Sequence, residues 1–234
     1  MLRTTIIALL LTTIWSPRLY AQEKSLNTVI VTGTRIDAND LKDTPNVSLR
    51  VQADFVLFES GFINASLERS ERLADLKKAF GAVASAADKR GDISLSIGNA
   101  NESAPIETVT FEEAQYDNGQ RAGFSIVVKA YTKPGDTFEK VRTRVDDFIE
   151  DIPEYGRTQS FIDDEQFLGI TNLDRYRPDL IKAIAKEVDD LIEAFSASEV
   201  SVSGLEEQTI TQTVGPMELE IFIPYTIHLT SMRN

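Results

Sequence analysis

The chain has 234 residues, 42% of them hydrophobic, with 24 basic side chains against 37 acidic ones and a formal charge of −13. An acidic balance of that size repels phosphate, which sets nucleic acid and anionic lipid aside as partners. One histidine and no cysteine leave too few ligands for a zinc or copper centre and nothing for a disulfide, so the fold must stand on its core.

Residues 1–21 read as a secretory signal peptide. Arg3 gives a short positive start, and Ile6 to Ile14 is apolar apart from Thr12 and Thr13. Ser16-Pro17 then breaks the helix, and Ala21 offers a small residue for cleavage. The apolar stretch is too short to cross about 30 Å of hydrocarbon as a permanent anchor. The expected working chain therefore starts near Gln22 and is periplasmic, free or against the outer membrane. Loss of Arg3 and Arg18 takes its charge from −13 to −15, and the only tryptophan, Trp15, leaves with them. No second long apolar run follows, so no integral membrane segment is expected after cleavage.

Asn27 to Ile36 reads as a β-branched strand. Thr28 to Arg35 (TVIVTGTR) also looks like the TonB box of outer-membrane receptors, but three long helices and this chain length do not fit such a receptor, and a strand of the domain is the better reading. From 47 to 58, Val47, Leu49, Val51, Ala53, Phe55 and Leu57 alternate with polar residues, the period of a half-buried strand. Val56 and Phe58 make its far end apolar on both faces.

A helix is predicted from near Ser66 to Arg90, with Leu73, Leu76, Phe80, Val83, Ala84 and Ala87 on one stripe. A strand at 93–97 follows. Strands at 106–116 and 121–131 are joined by Asp117-Asn118-Gly119, a hairpin signal. A second helix spans 136–152, with Asp136 and Glu139 as its capping pair and Phe138, Val141, Val145, Phe148, Ile149 and Ile152 as its buried stripe. Residues 159–170 read as extended. A third helix spans 175–195, with Pro178 in its first turn and Leu180, Ile181, Ile184, Val188, Leu191, Ile192 and Phe195 as its inner face. Strands at 199–212 and 217–230 close the chain, with Pro224 marking an edge or a bulge in the last. The order is β-β-α-β-β-β-α-β-α-β-β. Alternating strands with few, one-sided helices predict an α+β fold, an antiparallel sheet with three long amphipathic helices on one face. Residues 22–234 are taken as one such domain; were it to divide in two, residues 100–156 would form the inner part.

A search for reactive groups assigns no catalytic, metal or cofactor residue. His228 lies on the polar side of the last strand, and no G-x-S-x-G turn accompanies it. Asp146-Asp147, Asp163-Asp164-Glu165 and Asp189-Asp190 supply clustered carboxylates, but none fits a calcium loop, and such runs read as solvated faces. No aromatic stripe suits sugar stacking, and no glycine-rich phosphate loop is present.

The order of weak motifs resembles the SIMPL-domain proteins, the periplasmic immunogenic protein group. A leader precedes Val31-Thr32-Gly33, and a proline turn at Thr44-Pro45-Asn46 enters the long alternating strand. The hairpin at Asp117-Asn118-Gly119, a third helix and a final long strand follow. That family usually has Pro-Asp where this chain has Pro45-Asn46, and a third helix richer in alanine. The resemblance implies an exported α+β protein, in some members assembled into rings, connected with oxidative stress and the cell envelope, and it transfers no catalytic residue. The leading expectation is therefore a non-enzymatic envelope protein acting as a homo-oligomer or on an envelope protein partner. The alternatives are a carboxylate-based hydrolase and a periplasmic carrier of a small ligand or cation.

Overall fold

The structure is a computed structural model that describes residues 46–230, together with the backbone of a strand at 29–31. The leader, Trp15, the Thr44-Pro45 turn and most of the TonB-like segment lie outside the described residues. Twelve strands and four α-helices follow in order: β1 (Val29–Val31), β2 (Leu49–Gln52), β3 (Phe55–Asn64), α1 (Arg69–Ala87), β4 (Ile93–Gly98), β5 (Ser103–Pro105), α2 (Phe111–Ala114), β6 (Tyr116–Asp117), β7 (Ala122–Tyr131), α3 (Phe138–Glu150), β8 (Thr158–Ile170), α4 (Arg177–Phe195), β9 (Glu199–Ser203), β10 (Ile210–Thr213), β11 (Glu218–Phe222) and β12 (Thr226–Thr230). The fold is α+β, as the sequence predicts. Among the described residues no helix is long and apolar enough to cross a membrane.

The main sheet is antiparallel with strand order β1-β8-β3-β7-β4-β5, and β6 pairs with β7 beyond the end of β4. Its two central strands decide its character. β3 and β7 pair over ten residues, from Phe55 opposite Tyr131 to Asn64 opposite Ala122. Successive side chains alternate between faces. Val56, Phe58 and Phe62 of β3, with Phe124, Ile126, Val128 and Ala130 of β7, point into the principal core. Leu76, Ala79 and Val83 of α1 and Val141, Val145, Phe148 and Ile149 of α3 cover them. Phe124 sits at the seam, stacked on Phe62 at 5.1 Å and edge-on to Phe80 of α1 at 5.4 Å.

The alternation of β2–β3 does not run unbroken as expected. At Ala53-Asp54 the chain leaves a small sheet of order β10-β11-β2 and enters the main one. The phase changes there, so Phe55 and Leu57 do not continue the inward row of Leu49 and Val51 but face the other side of the main sheet. The joint is heavily bonded. The Ala53 amide donates to Met217 O and the Asp54 amide to Gly169 O, each at 2.9 Å, and Thr132 N donates to Asp54 O. The Asp54 carboxylate accepts from Thr171 N at 2.9 Å and from Arg175 at 2.7 Å.

Four other expectations are corrected. Residues 106–116 are not a strand: Ile106–Thr108 is a 3-10 turn, and Phe111–Ala114 is a helix turn capped by Thr110 and Glu113 in a reciprocal box. The cap of α3 is Thr137, whose hydroxyl accepts from Lys140 N, while Asp136 accepts from Lys133 N and Arg144. The last two predicted strands are each split. Residues 199–213 break between β9 and β10, and Pro224 divides β11 from β12 because it lacks the N–H that a continued ladder needs. β12 then pairs with β9 as a separate two-stranded ribbon. Finally, α4 buries only Leu180 and Ile184, in the same core as Leu219, Ile221 and Ile223. Ile181, Ile192 and Phe195 stand exposed, so the predicted inner stripe serves the core only in its first half.

The hairpin signal at Asp117-Asn118-Gly119 is met by β6 and β7, with Asn118 N donating to Arg121 O. A buried arginine that no motif announced holds it. Arg72 of α1, 2% exposed, donates to Asp117 Oδ1, Gly119 O, Ser66 O and Leu67 O.

Candidate functional site on the open face of the main sheet

Among the described residues, no helix lies on the second face of the main sheet. Phe55 and Leu57 of β3, Val127 of β7 and Phe167 of β8 gather there around Ala100, as a separate buried cluster. The loop that carries Ala100 is pinned from the sheet, since Ala100 N donates to Glu59 Oε1 at 2.7 Å.

Three cross-strand pairs on this face set an aromatic ring over a glycine: Phe55 opposite Gly169, Phe161 opposite Gly61, and Tyr116 opposite Gly123. A methyl group at Gly169 would run into the Phe55 ring, at Gly61 it would lie 2.7 Å from Phe161, and at Gly123 2.6 Å from Phe62 O and 2.7 Å from the Tyr116 hydroxyl. Strand-interior glycine weakens a sheet unless something approaches closely, and here a ring does. Phe55 is fully buried, whereas Tyr116 is 46% and Phe161 44% exposed. The sequence search found no aromatic stripe because these rings share a face only through strand register.

At the β3–β7–β4 end the face opens into a groove of about 730 Å³, lined among others by Phe55, Leu57, Ser94, Ser96, Val127, Lys129 and Tyr131. Three other surface depressions measure about 300, 310 and 380 Å³. Lys129 points here because its neighbours Val128 and Ala130 point into the principal core. Its ammonium lies 3.9 Å from the centre of the Phe55 ring and 5.2 Å from that of Tyr131.

The residues weighed in the sequence are scattered. His228 is exposed on β12, opposite Ser201. Asp146 pairs with Arg142 at 2.9 Å on α3, and Asp189 and Asp190 are exposed on α4. Asp163-Asp164-Glu165 occupies an irregularity of β8: Phe58 pairs with Gln166 and Ser60 with Ile162, so three acids bulge opposite Glu59. No group of three or more metal-ligating side chains forms among the described residues.

The carboxylates with displaced pKa values are displaced downward. Arg90 holds Asp92 low by hydrogen bond, the Gly119 amide does so for Asp117, and Ser48 does so for Glu220. Burial opposes the shift at Asp136, but hydrogen bonds from Arg144 and the Lys133 amide outweigh it. Tyr225 is shifted upward, first by burial and then by its hydrogen bond to Glu187 of α4.

A second surface lies where α4 meets the β9–β12 ribbon. Leu191, Ile227 and Leu229 line a depression together with Asn46, Glu187 and Tyr225, and Glu187 accepts from both Asn46 and the Tyr225 hydroxyl. Beyond it Phe195 is 63% exposed, and Ile192 and Leu229 are each 37% exposed. The Ser198 amide and hydroxyl both donate to Thr230 O, which ties the end of α4 to the end of β12.

No family model and no curated protein matches this chain. Among solved structures, a hydrolase from Listeria innocua aligns over 76% of this chain and 91% of its own at 8% identity, with a TM-score of 0.15, too low to carry any argument about fold or activity.

Proposed function

We propose that this chain is an exported, non-catalytic protein of the cell envelope that acts by contact with other polypeptides, a second copy of itself first among them. The observation that carries the reading is the apolar surface at the end of α4. Ile192, Phe195 and Leu229 come from two elements, yet all three face water. Leu191 and Leu229 line one depression, and Ile192 and Phe195 lie in the last turns of the same helix; exposed apolar side chains grouped in this way mark contact surfaces. The ribbon beside them adds backbone donors and acceptors, because among the described residues β9 and β12 pair only with each other. The main sheet offers less. One of its ends is the three-residue β5, and the outer side of β8 carries the bulged acids. Among the described residues, the α4–ribbon surface is thus the one that joins exposed apolar side chains to unpaired strand edges.

Export rests on the leader at 1–21, and a stress-related role rests on the resemblance to SIMPL-domain proteins; both belong to the same proposal. The hydrolase alternative draws no support from the carboxylates, since a general acid at neutral pH needs its pKa raised and the displaced ones are lowered.

Native mass spectrometry of the secreted chain at micromolar concentration tests the reading. The expected result is a dimer or larger ring that Phe195→Asp reduces to monomer, the variant keeping the circular dichroism of the unaltered chain because Phe195 lies outside the core. A strict monomer overturns it.

A further inference from the structure

We propose that two copies of this chain meet through α4, the two helices lying antiparallel along the stripe Ile181, Ala185, Val188, Ile192 and Phe195. This rests on the self-association proposed above and adds to it the element, the orientation and a closed dimer.

The stripe follows from spacing. Its members recur at intervals of 4, 3, 4 and 3 residues, the period of a seam between two helices. α4 is continuous from Arg177 to Phe195, so the five form one row about 21 Å long. They are not the row that serves the core. Leu180 and Ile184 are buried and Leu191 lines the depression beside the ribbon, about a quarter-turn round the helix from this row. Ile181 is 39%, Ile192 37% and Phe195 63% exposed; Ala185 is exposed too, and Val188 is half-buried. The row therefore has apolar surface to give to a partner, and the small Ala185 lets a second helix come close.

Charge selects the partner and its direction. Past its first turn, α4 carries Lys182 and Lys186 in its first half, then Asp189, Asp190 and Glu193, with no base in the last turn. That order runs against the helix dipole, which favours acids at the start and bases at the end. Asp189, Asp190 and Glu193 have no ion-pair partner among the described residues, and Lys182 has only the exposed Asp179, at 3.7 Å. A second α4 laid antiparallel answers both deficits, because the basic half of each copy meets the acidic half of the other. A parallel pair would set base against base and acid against acid. With Ile181 against Ile192 of the second copy and Ala185 against its Val188, the registry brings Lys182 to the second copy's Asp189. Lys182 and Asp189 are seven positions apart and so border the stripe on the same side. Such a two-fold contact uses the same surface on both copies and closes at two.

Two measurements on the full chain test this. The chain has no cysteine, so an introduced thiol is unique. Ile181→Cys chains mixed and exchanged with Ile192→Cys chains should be joined to each other by a short bismaleimide, and neither variant to itself. In sedimentation equilibrium the unaltered chain should be a dimer. Lys182→Glu and Asp189→Lys should each weaken it by about tenfold or more, since each change sets like charges together at two places, and the double variant should return to within a few-fold of the unaltered chain. A monomeric unaltered chain overturns the self-association itself. A dimer in which like variants link to themselves, unlike variants fail to link, or the double reversal is no tighter than the single ones leaves the self-association standing and overturns the antiparallel pairing. The linkage needs no charge variant, so a reversal that failed to fold would not shelter the idea.

Discussion

The two faces of the main sheet are built from the same strands and solved differently. On one, Val56, Phe58, Phe124, Ile126 and Val128 meet two amphipathic helices and become core. On the other, Phe55, Leu57, Val127 and Phe167 are just as hidden from water, but by side chains, a pinned loop and rings laid over glycines. A strand apolar on both faces usually signals a sheet buried between two layers. Here one layer of helices suffices, because the sheet roofs part of its second face with its own residues and leaves the rest as a groove and two exposed rings.

The largest effect that would test this contrast is a truncation on each face. Phe124→Ala removes a ring packed on Phe62 and Phe80 and is expected to cost about 3–5 kcal/mol in urea unfolding. Phe161→Ala removes a ring that is already 44% exposed and should cost no more than about 1 kcal/mol. Equal costs would show that the open face is a second core after all. A smaller difference separates the glycines. Gly169→Ala presses on the fully buried Phe55 and should cost about 1–3 kcal/mol, whereas Phe161 has water to swing into, so Gly61→Ala should cost less than about 1 kcal/mol.

The smallest effect in the neutral range is that of pH. Asp92 and Asp136 are held low in the folded chain, and both contact Arg144 of α3, so they clamp the helix-covered face. A carboxylate that binds its proton more weakly when folded contributes stability above its unfolded value, here 3.8, and loses it as pH falls through the folded value. The melting temperature should therefore stay level from about pH 7 to 5 and fall only below about 4, with amide exchange rising first in α3. A fall already complete by pH 5 would contradict the assignment.

Periodicity made the helices legible. Leu76 and Val83 of α1, and Val141, Val145 and Phe148 of α3, lie where their spacing placed them. Pro224 also announced an interruption, though not that the strand beyond it would join another partner. Two kinds of information were hidden. The phase change at Ala53-Asp54 is invisible in an alternating run, since both faces of β3 turned out apolar. The open face was hidden because Tyr116, Phe161 and Lys129 are far apart in sequence and share a face only through strand register. One signal could have raised the question. Gly61, Gly123 and Gly169 each interrupt an otherwise strand-like run, and interior glycine in a strand marks a close approach. The exposed second half of α4 had no such marker, because a stripe that faces a partner has the same period as one that faces the core.

The joint at Ala53-Asp54 reaches beyond the strands it connects. Within two residues it is bonded to Met217, Thr132, Gly169, Thr171 and Arg175, which come from both sheets and from the approach to α4. Neither sheet can detach without breaking the other's hydrogen bonds, so heating should produce one melting event, with calorimetric and van't Hoff enthalpies in agreement. Fragments cut on either side of this joint would each inherit a torn rim, and a shortened form of the protein would be expected to fold only when it keeps the Asp54 knot whole.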